Sequence, residues 1–454
     1  MFLLDFIASI WWIIVFVIFF PIARNAWMSW RQEEYKGRIP FVLLELHIPR
    51  EIKKSPKGME QIFSAIHSLR NAPGNLKEWY WEGEVTLWFT FEMVSHGGEI
   101  HFYVRTPKKH KELVEAAFFS YYPDIEITQP EEYLDSLPRN MGEVYERGYE
   151  LWGTELILAK SAAYPIKTYL DFESPDEDKQ YDPISAFLEV LGKAKPGEFV
   201  GIQIIVAALG PDWSVQFEGL IDSLKDRKEK MLRVKKGGGS SVGTAAEFPG
   251  GILPAFSVVK KVAEATSQEQ ALGRALLQRT PGETDVLKAI EENLSFPAFE
   301  TRIRIMYISP KEIFLENFPR RGISGAFNQY AAVNLNSFRK NTPGVETRGQ
   351  IWDWPHIFSK YRVRYRKQRM LSSYRSPRLP SKMFTSKLMT SYLFGWNFGA
   401  KSFPMNIRCL SSLFHPPTFL VLTAPHIKRV VSRKAGPPAG LPIYGEEGAM
   451  DRFN

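Results

Sequence analysis

The strongest constraint on this chain is a run of 17 residues, from Phe6 to Ile22, that contains no charged side chain. With Phe2, Leu3 and Leu4 ahead of it, the apolar segment approaches the roughly 20 residues that a helix needs to cross a bilayer. A single segment can cross lipid only as a helix, because lipid offers no partners to bare backbone groups. We therefore predict a single-pass transmembrane anchor within residues 1–31, with lipid contacts from Phe6, Trp11, Trp12, Ile14, Phe16, Phe19 and Ile22.

A cleaved signal peptide and a buried core helix are the alternatives to an anchor. Asp5 stands where a signal peptide would carry Lys or Arg, and the run is too long and too aromatic for one. The basic residues that follow the run are Arg24, Arg31, Lys36 and Arg38. Because positive residues stay on the cytoplasmic side, we expect a cell-membrane protein with its amino terminus outside and its body in the cytoplasm.

The composition predicts folded domains behind this anchor. With 454 residues, 44% hydrophobic and 14% aromatic, the chain can bury two or three cores. Cys409 is the only cysteine, so an internal disulfide and a cysteine-based metal site are excluded. A lone cysteine is typical of a reducing compartment, which agrees with a cytoplasmic body.

The first block of the body, residues 32–150, alternates between strand and helix patterns. Strand-like segments occur at 41–48, at 84–94, after the turn at 95–98, and at 125–128; helices open at Ser55-Pro56 and Thr106-Pro107. Apolar and polar residues alternate cleanly over 84–94, which predicts a strand with one solvated face. The order strand, helix, strand, strand, helix, strand is that of a ferredoxin-like domain.

The second block, residues 151–331, repeats this pattern more weakly. Strand-like segments lie at 155–160, 166–172, 199–209 and 299–308, and a flexible Gly- and Ser-rich insertion is expected at 232–282. Residues 332–454 are predicted to form a basic tail region, in which the pattern over 357–374 favours a basic helix and the chain from Ser376 onward is expected to be an extended carboxy-terminal tail. The fold class we predict is therefore α+β, with a transmembrane helix, two tandem ferredoxin-like (βαββαβ-type) domains and this tail.

The tail region carries an uneven charge. Residues 354–445 contain 16 Lys and Arg but no Asp or Glu, although the net charge of the whole chain is only +8. The candidate contacts to nucleic acid or to an acidic partner are Arg362, Arg364, Arg366, Lys367, Arg369, Arg375 and Arg378. Nucleic acid, anionic lipid, an acidic protein and the chain's own acidic body all remain possible partners for this run.

The sequence shows no pattern typical of a catalytic site. The Gly-rich stretch at 237–243 lacks the Gly-Lys-Ser/Thr ending of a phosphate-binding loop, and HExxH is missing from the chain. Glu92 and Glu99 lie on the polar side of neighbouring strands, where a solvated face is the simplest interpretation. We predict no catalytic, cofactor-binding or metal-binding residues, and a protein that is not an enzyme.

Several segments resemble a known family. Residues 92–127, 325–338, 403–417 and 435–443 are similar to membrane-anchored bacterial proteins linked to conjugation and type IV secretion. In that family these segments precede the motor domain of coupling-protein (TraG-like) ATPases. The chain reaches Asn454 where fused members begin their nucleotide-binding domain, and the acidic residues expected near 407–411 are missing.

The resemblance implies an accessory or scaffold component of a type IV secretion- or conjugation-like system. Such a component would dock a separately encoded motor ATPase at the membrane. A membrane-tethered protein that binds nucleic acid, including DNA, through the basic tail is the alternative.

Overall fold

The computed structural model describes residues 2–49, 55–173, 181–224, 281–342, 344–348, 359–380 and 399–418. Apart from its last two residues, the predicted insertion at 232–282 lies outside this part of the chain, as does the tail after residue 418.

Nine helices and nine strands can be numbered in chain order within the described ranges. The helices are α1 (Phe2–Arg38), α2 (Lys57–Ser68), α3 (Lys111–Tyr121), α4 (Met141–Glu146), α5 (Ile184–Leu191), α6 (Pro281–Ser295), α7 (Asn317–Asn328), α8 (Ser359–Arg375) and α9 (Ile407–Leu413). The strands are β1 (Phe41–His47), β2 (Trp88–His96), β3 (Glu99–Pro107), β4 (Glu126–Thr128), β5 (Tyr149–Leu158), β6 (Phe199–Ala208), β7 (Ala298–Pro310), β8 (Phe338–Lys340) and β9 (Phe403–Asn406).

All nine of these strands join one sheet, and every pairing between them is antiparallel. The order is β4-β1-β3-β2-β6-β7-β5-β8, with β9 beside the start of β7. The two predicted blocks therefore share a sheet, joined through β2 and β6. Counted outward from β2 and from β6, the two halves have matching strand orders, β2-β3-β1-β4 and β6-β7-β5-β8. The α+β class predicted from the sequence is confirmed.

One face of the sheet packs against α2, α3, α5, α7 and α9. In α2, Met59, Ile62, Phe63 and Ile66 are fully buried, as their helical spacing predicts. This apolar layer runs across both halves of the sheet and forms the main core.

The other face of the sheet is also covered, contrary to the expectation from the sequence. Residues 84–94 were predicted to form a strand with one solvated face, but β2 begins at Trp88, and both Thr90 and Glu92 on its polar side are fully buried. The cover consists of α4, the turn Tyr133–Asp135 and α8. A Cβ on Gly201 of β6 would lie 1.9 Å from the Tyr374 hydroxyl, so α8 packs where the strand carries no side chain.

Two further predictions were wrong. Residues 166–172 form a loop and a short 3₁₀ turn, Tyr169–Asp171, because the Asp171 carboxylate accepts the Thr168 N–H at 2.7 Å and favours a turn over a strand. The predicted basic helix at 357–374 corresponds to α8, whereas the tail predicted to be extended from Ser376 onward contains β9 and α9 in the described residues. Its apolar residues join the main core through β9 and α9, with Leu410 and Phe414 fully buried.

Candidate functional site

The amino-terminal helix α1 contains the whole uncharged run. Of the predicted lipid contacts, Trp12, Phe16, Phe19 and Ile22 are exposed, between 42% and 61% of their surface. The side chains of Phe6, Trp11 and Ile14 lie outside the described residues. Among the helices in the described ranges, none combines the length and the apolarity needed to cross a membrane.

A cluster of five aromatic residues, the aromatic collar, follows the exposed run. It consists of Trp27 and Trp30 on α1 and of Trp79, Tyr80 and Trp81 in the π-helical turn Glu78–Glu82. The Trp27 indole donates to the Tyr80 carbonyl at 2.9 Å, and its ring lies 5.9 Å from that of Trp81. The tryptophans of the collar remain 42% to 65% exposed. Large apolar rings therefore face outward from both segments.

Local sequence chemistry holds the turn of the collar against α1. The Asn75 amide oxygen accepts the Glu78 N–H at 2.9 Å, and the Glu78 carboxylate accepts the Gly74 N–H at 2.6 Å. At the other end Gly83 has φ +68°, and a Cβ there would lie 2.5 Å from the Arg31 carbonyl carbon. Arg31 in turn donates from Nε to the Trp81 carbonyl at 2.6 Å. Only glycine fits this approach without strain.

The predicted basic contacts lie on or just after α8, and several of them face the protein's own body. Arg362 and Arg366 are buried, and Arg366 donates to the Glu346 carbonyl at 3.3 Å. Lys367 forms an ion pair with Glu150 at 2.7 Å.

Of the other four predicted basic contacts, two contact the protein itself and two are exposed. Arg375 donates to the Leu137 carbonyl at 2.9 Å, and Arg378 reaches Glu33 of α1 at 3.4 Å. Arg364 and Arg369 are exposed on the outer side of α8. The outward-facing part of the basic run is therefore much smaller than the sequence suggests.

A row of buried polar residues crosses the sheet beneath α8. Glu92, Gln203, Arg304 and Glu155 stand opposite one another on β2, β6, β7 and β5. Gln203 donates to the Glu92 carboxylate at 3.3 Å and accepts from Arg304 at 3.1 Å, while Arg304 Nε lies 3.3 Å from Glu155 Oε1. All four side chains are fully buried. We call these four residues the polar row.

Further polar groups close both ends of the polar row. At one end, Tyr133 donates to Glu92 at 2.5 Å, and Arg105 lies 3.5 Å from the same carboxylate. At the other end, Arg302 Nε donates to Glu155 Oε1 at 2.6 Å. Backbone carbonyls of α8 take part as well, since that of Tyr374 accepts from Gln203 at 3.1 Å.

Burial shifts the pKa values of two groups in the polar row. It raises the pKa of the Glu92 carboxyl, against the opposing effects of Arg105 and the Tyr133 hydroxyl. Burial and the neighbouring Arg302 lower the pKa of Arg304 to about 9, against the attraction of Glu155. Within the described residues, Glu155 Oε2 and Arg304 Nη2 have no hydrogen-bond partner. The polar row is thus a highly charged buried network whose groups mainly form hydrogen bonds and ion pairs with one another.

His415, which follows α9 in the chain, is fully buried. Its Nε2 lies 2.8 Å from Asp182 Oδ1, and its Nδ1 lies 2.8 Å from the Ser411 carbonyl. Burial opposes ionisation of Asp182, but His415 and the donors of Thr418 outweigh it and lower the pKa of that carboxyl. The pair fastens the segment after α9 to the start of α5.

In the sequence, the signal for the polar row is the interruption of apolar strand patterns by polar residues and glycine. Gln203, Arg302 and Arg304 interrupt otherwise apolar strands, and Gly201 interrupts one of the same strands. Such residues mark a buried polar contact and a close backbone approach.

The one cysteine of the chain is buried in α9. Burial raises the pKa of the Cys409 thiol to about 12, which leaves it un-ionised near neutral pH. In the described ranges, no group of three or more His, Cys, Asp and Glu could hold a metal ion.

A family model described as a domain of unknown function, DUF8128, matches residues 42–348, which is more than half of the chain. The chain belongs to the DUF8128 family. No curated protein matches it. The DUF8128 match spans β1 to β8, whereas the anchor run, α8, β9 and α9 lie outside it. The polar row belongs to the matched domain, and α8, which covers the row, does not.

Proposed function

We propose that this chain is a non-enzymatic scaffold, anchored in the cell membrane by α1, that docks a separate motor ATPase in a type IV secretion- or conjugation-like system. The observation that carries the membrane part is the exposed apolar surface of α1 together with the aromatic collar beside it. The docking part rests on the family resemblance described above.

The anchor proposal uses the complete run of residues 6–22. Its described side chains face outward from a helix rather than into the core, and exposed apolar surface of that extent marks a contact with lipid or protein. Tryptophan and tyrosine favour the boundary between lipid and water, where the collar would lie. Arg24 lies between the run and the collar, and Arg31 directly follows Trp30 of the collar. Both lie on the body side of the apolar run, and the positive-inside rule then puts the body in the cytoplasm.

The body proposed here consists of two tandem ferredoxin-like units. The order β4-β1-β3-β2 is that of a βαββαβ unit, and β8-β5-β7-β6 repeats it. Joining two units through β2 and β6 protects two sheet edges that would otherwise be open to foreign strands. A continuous sheet of this width supports a rigid docking platform.

A scaffold accounts for the buried ions better than an enzyme does. A general acid or base must reach its substrate within hydrogen-bond distance, and the carboxylates of the polar row lie beneath α8. Buried ionic networks contribute to the specificity of packing in some proteins. We infer that the polar row fixes α8 on the sheet and so presents the outer side of that helix to a partner.

Site-directed photo-crosslinking in native membranes tests the docking proposal. A p-benzoylphenylalanine placed at Tyr361, which is 74% exposed on α8, should capture a motor ATPase or another secretion component. The same probe at Leu113 of α3, which is 53% exposed, is the matched control. Recovery of the same proteins from both positions, or of no secretion component from position 361, would contradict docking at α8.

Nucleic-acid binding is the second candidate, favoured by the exposure of Arg364, Arg369, Tyr361 and Tyr365 on one helix. Arginine neutralises phosphates and tyrosine stacks on bases, so binding should weaken steeply with salt. Fluorescence anisotropy of the full chain in detergent, with single- and double-stranded DNA, measures this. If no micromolar binding is seen at about 50 mM salt, where phosphate contacts are strong, this candidate is removed.

A further inference from the structure

A cavity of about 380 Å³ lies between α7 and β8, at the end of the sheet opposite β4. Four basic residues line it: Arg320 and Arg321 from α7, and Arg339 and Lys340 from β8. None of the residues that line this cavity is acidic. Its volume falls within the range of small-molecule sites, about 300–1,000 Å³.

The four cations are only partly neutralised by the protein. Arg320 donates to the Asn317 side chain at 2.8 Å and lies 3.7 Å from Glu316. In the part of the chain that the structure describes, Arg321, Arg339 and Lys340 form no ion pair or side-chain hydrogen bond. Like charges that converge without a counter-charge repel one another, and a bound anion removes that repulsion.

Other groups that line the cavity fit an organic anion. The Ser324 hydroxyl is buried without a hydrogen-bond partner in the described residues. Leu156, Phe327 and Phe338 supply an apolar floor, with the two phenylalanine rings 5.2 Å apart in an edge-to-face arrangement. A basic rim above an apolar floor matches a ligand that has an anionic end and an apolar or flat end.

We propose that this cavity binds a small organic phosphate of nucleotide-like size. Arginine presents a planar fork of donors that matches phosphate oxygens, and such charge-assisted bonds are about twice as strong as neutral ones. The phosphates would lie against Arg321, Arg339 and Lys340, and the apolar part would lie on Phe327 and Phe338. The site is independent of the membrane anchor and of α8.

Equilibrium binding to the full chain in detergent micelles tests the proposal, with ATP, pyrophosphate and inorganic phosphate as probes. ATP should bind more tightly than pyrophosphate, because only ATP has a part that reaches the apolar floor, and inorganic phosphate should bind most weakly. The variant Arg321→Ala/Arg339→Ala should weaken ATP binding by about tenfold or more, since it removes two charge-assisted contacts. The control Lys108→Ala/Lys109→Ala removes the same charge from exposed positions outside the cavity and should leave the affinity unchanged.

A melting curve of each variant checks the fold. Arg321 and Arg339 are exposed, so their removal should leave the melting temperature unchanged or raise it. No ATP binding at millimolar concentration, equal weakening by both double variants, or equal affinity for all three probes would overturn the proposal. Tight binding of an oligonucleotide with none of ATP would also overturn it, in favour of a nucleic-acid surface.

Discussion

Glu155→Gln should be among the most damaging substitutions that leave side-chain volume unchanged. Glu155 is fully buried and is the acidic partner of two buried cations, Arg302 and Arg304. Its Oε1 accepts from Arg302 Nε at 2.6 Å and lies 3.3 Å from Arg304 Nε. Glutamine keeps the shape and an acceptor oxygen but removes the negative charge between the two guanidinium groups.

The expected cost follows from this geometry. A hydrogen bond to a charged group contributes about 1.5–3 kcal/mol, against about 0.5–1.5 kcal/mol for a neutral one, so two weakened bonds lose about 2 kcal/mol. Two like charges are then left buried without a counter-ion. Breaking a buried ion pair typically costs about 3–5 kcal/mol in total, and we expect a loss in that range.

Urea unfolding of the full chain in detergent, followed by circular dichroism, measures this loss without adding salt. The matched control is Glu189→Gln, whose partner Lys193 is 67% exposed and whose loss should be about 0.5 kcal/mol or less. Adding Arg304→Gln to Glu155→Gln should recover part of the stability, because it removes one uncompensated cation. A loss no larger than that of the control would refute the buried-network account of the polar row.

Three other substitutions test separate parts of the fold. Burial and His101 lower the pKa of His96 to about 4, so only the unfolded chain gains a proton as the pH falls from 6.5 towards 4. Stability should fall by on the order of 2 kcal/mol over that window, and His96→Gln should flatten this dependence in urea titrations at successive pH values; an unchanged slope would contradict it. Leu410→Ala, at a fully buried position of α9, should cost about 2–5 kcal/mol by the same assay, whereas a negligible loss would mean that this segment adds little to the core. Gly83→Ala places a Cβ 2.5 Å from the Arg31 carbonyl carbon and should speed proteolysis of the collar turn, while cleavage at the wild-type rate would show that the turn is not held there.

Local pattern predicted the first half of the sheet well, because each of its elements has its own periodicity. The helical spacing of Met59, Ile62 and Phe63 and the alternation along β2 both correspond to observed elements. Local pattern could not predict that β2 pairs with β6, since the partner strand lies beyond several intervening elements. An edge pairing of this kind depends on which strands remain free after each half has folded.

The environment of the polar side chains was harder to predict for the same reason. Glu92 was expected on a solvated face, and its burial depends on α8, which is distant in sequence. The sequence left the partner of the basic run open, and Arg362 and Arg366 are buried by the body they pack on. Charge along a sequence shows that a partner is needed, but it does not show whether that partner lies in the same chain.

Membrane fractionation of cells that express the full chain tests the central claim most directly. After lysis without detergent, the membranes are washed with high salt and alkaline carbonate and then centrifuged at high speed. A chain anchored through the exposed run that contains Phe16 and Phe19 should stay in the pellet and be released only by detergent, and Phe16→Lys/Phe19→Lys should shift it to the supernatant. Recovery of the unsubstituted chain in the supernatant before any detergent is added would contradict the account.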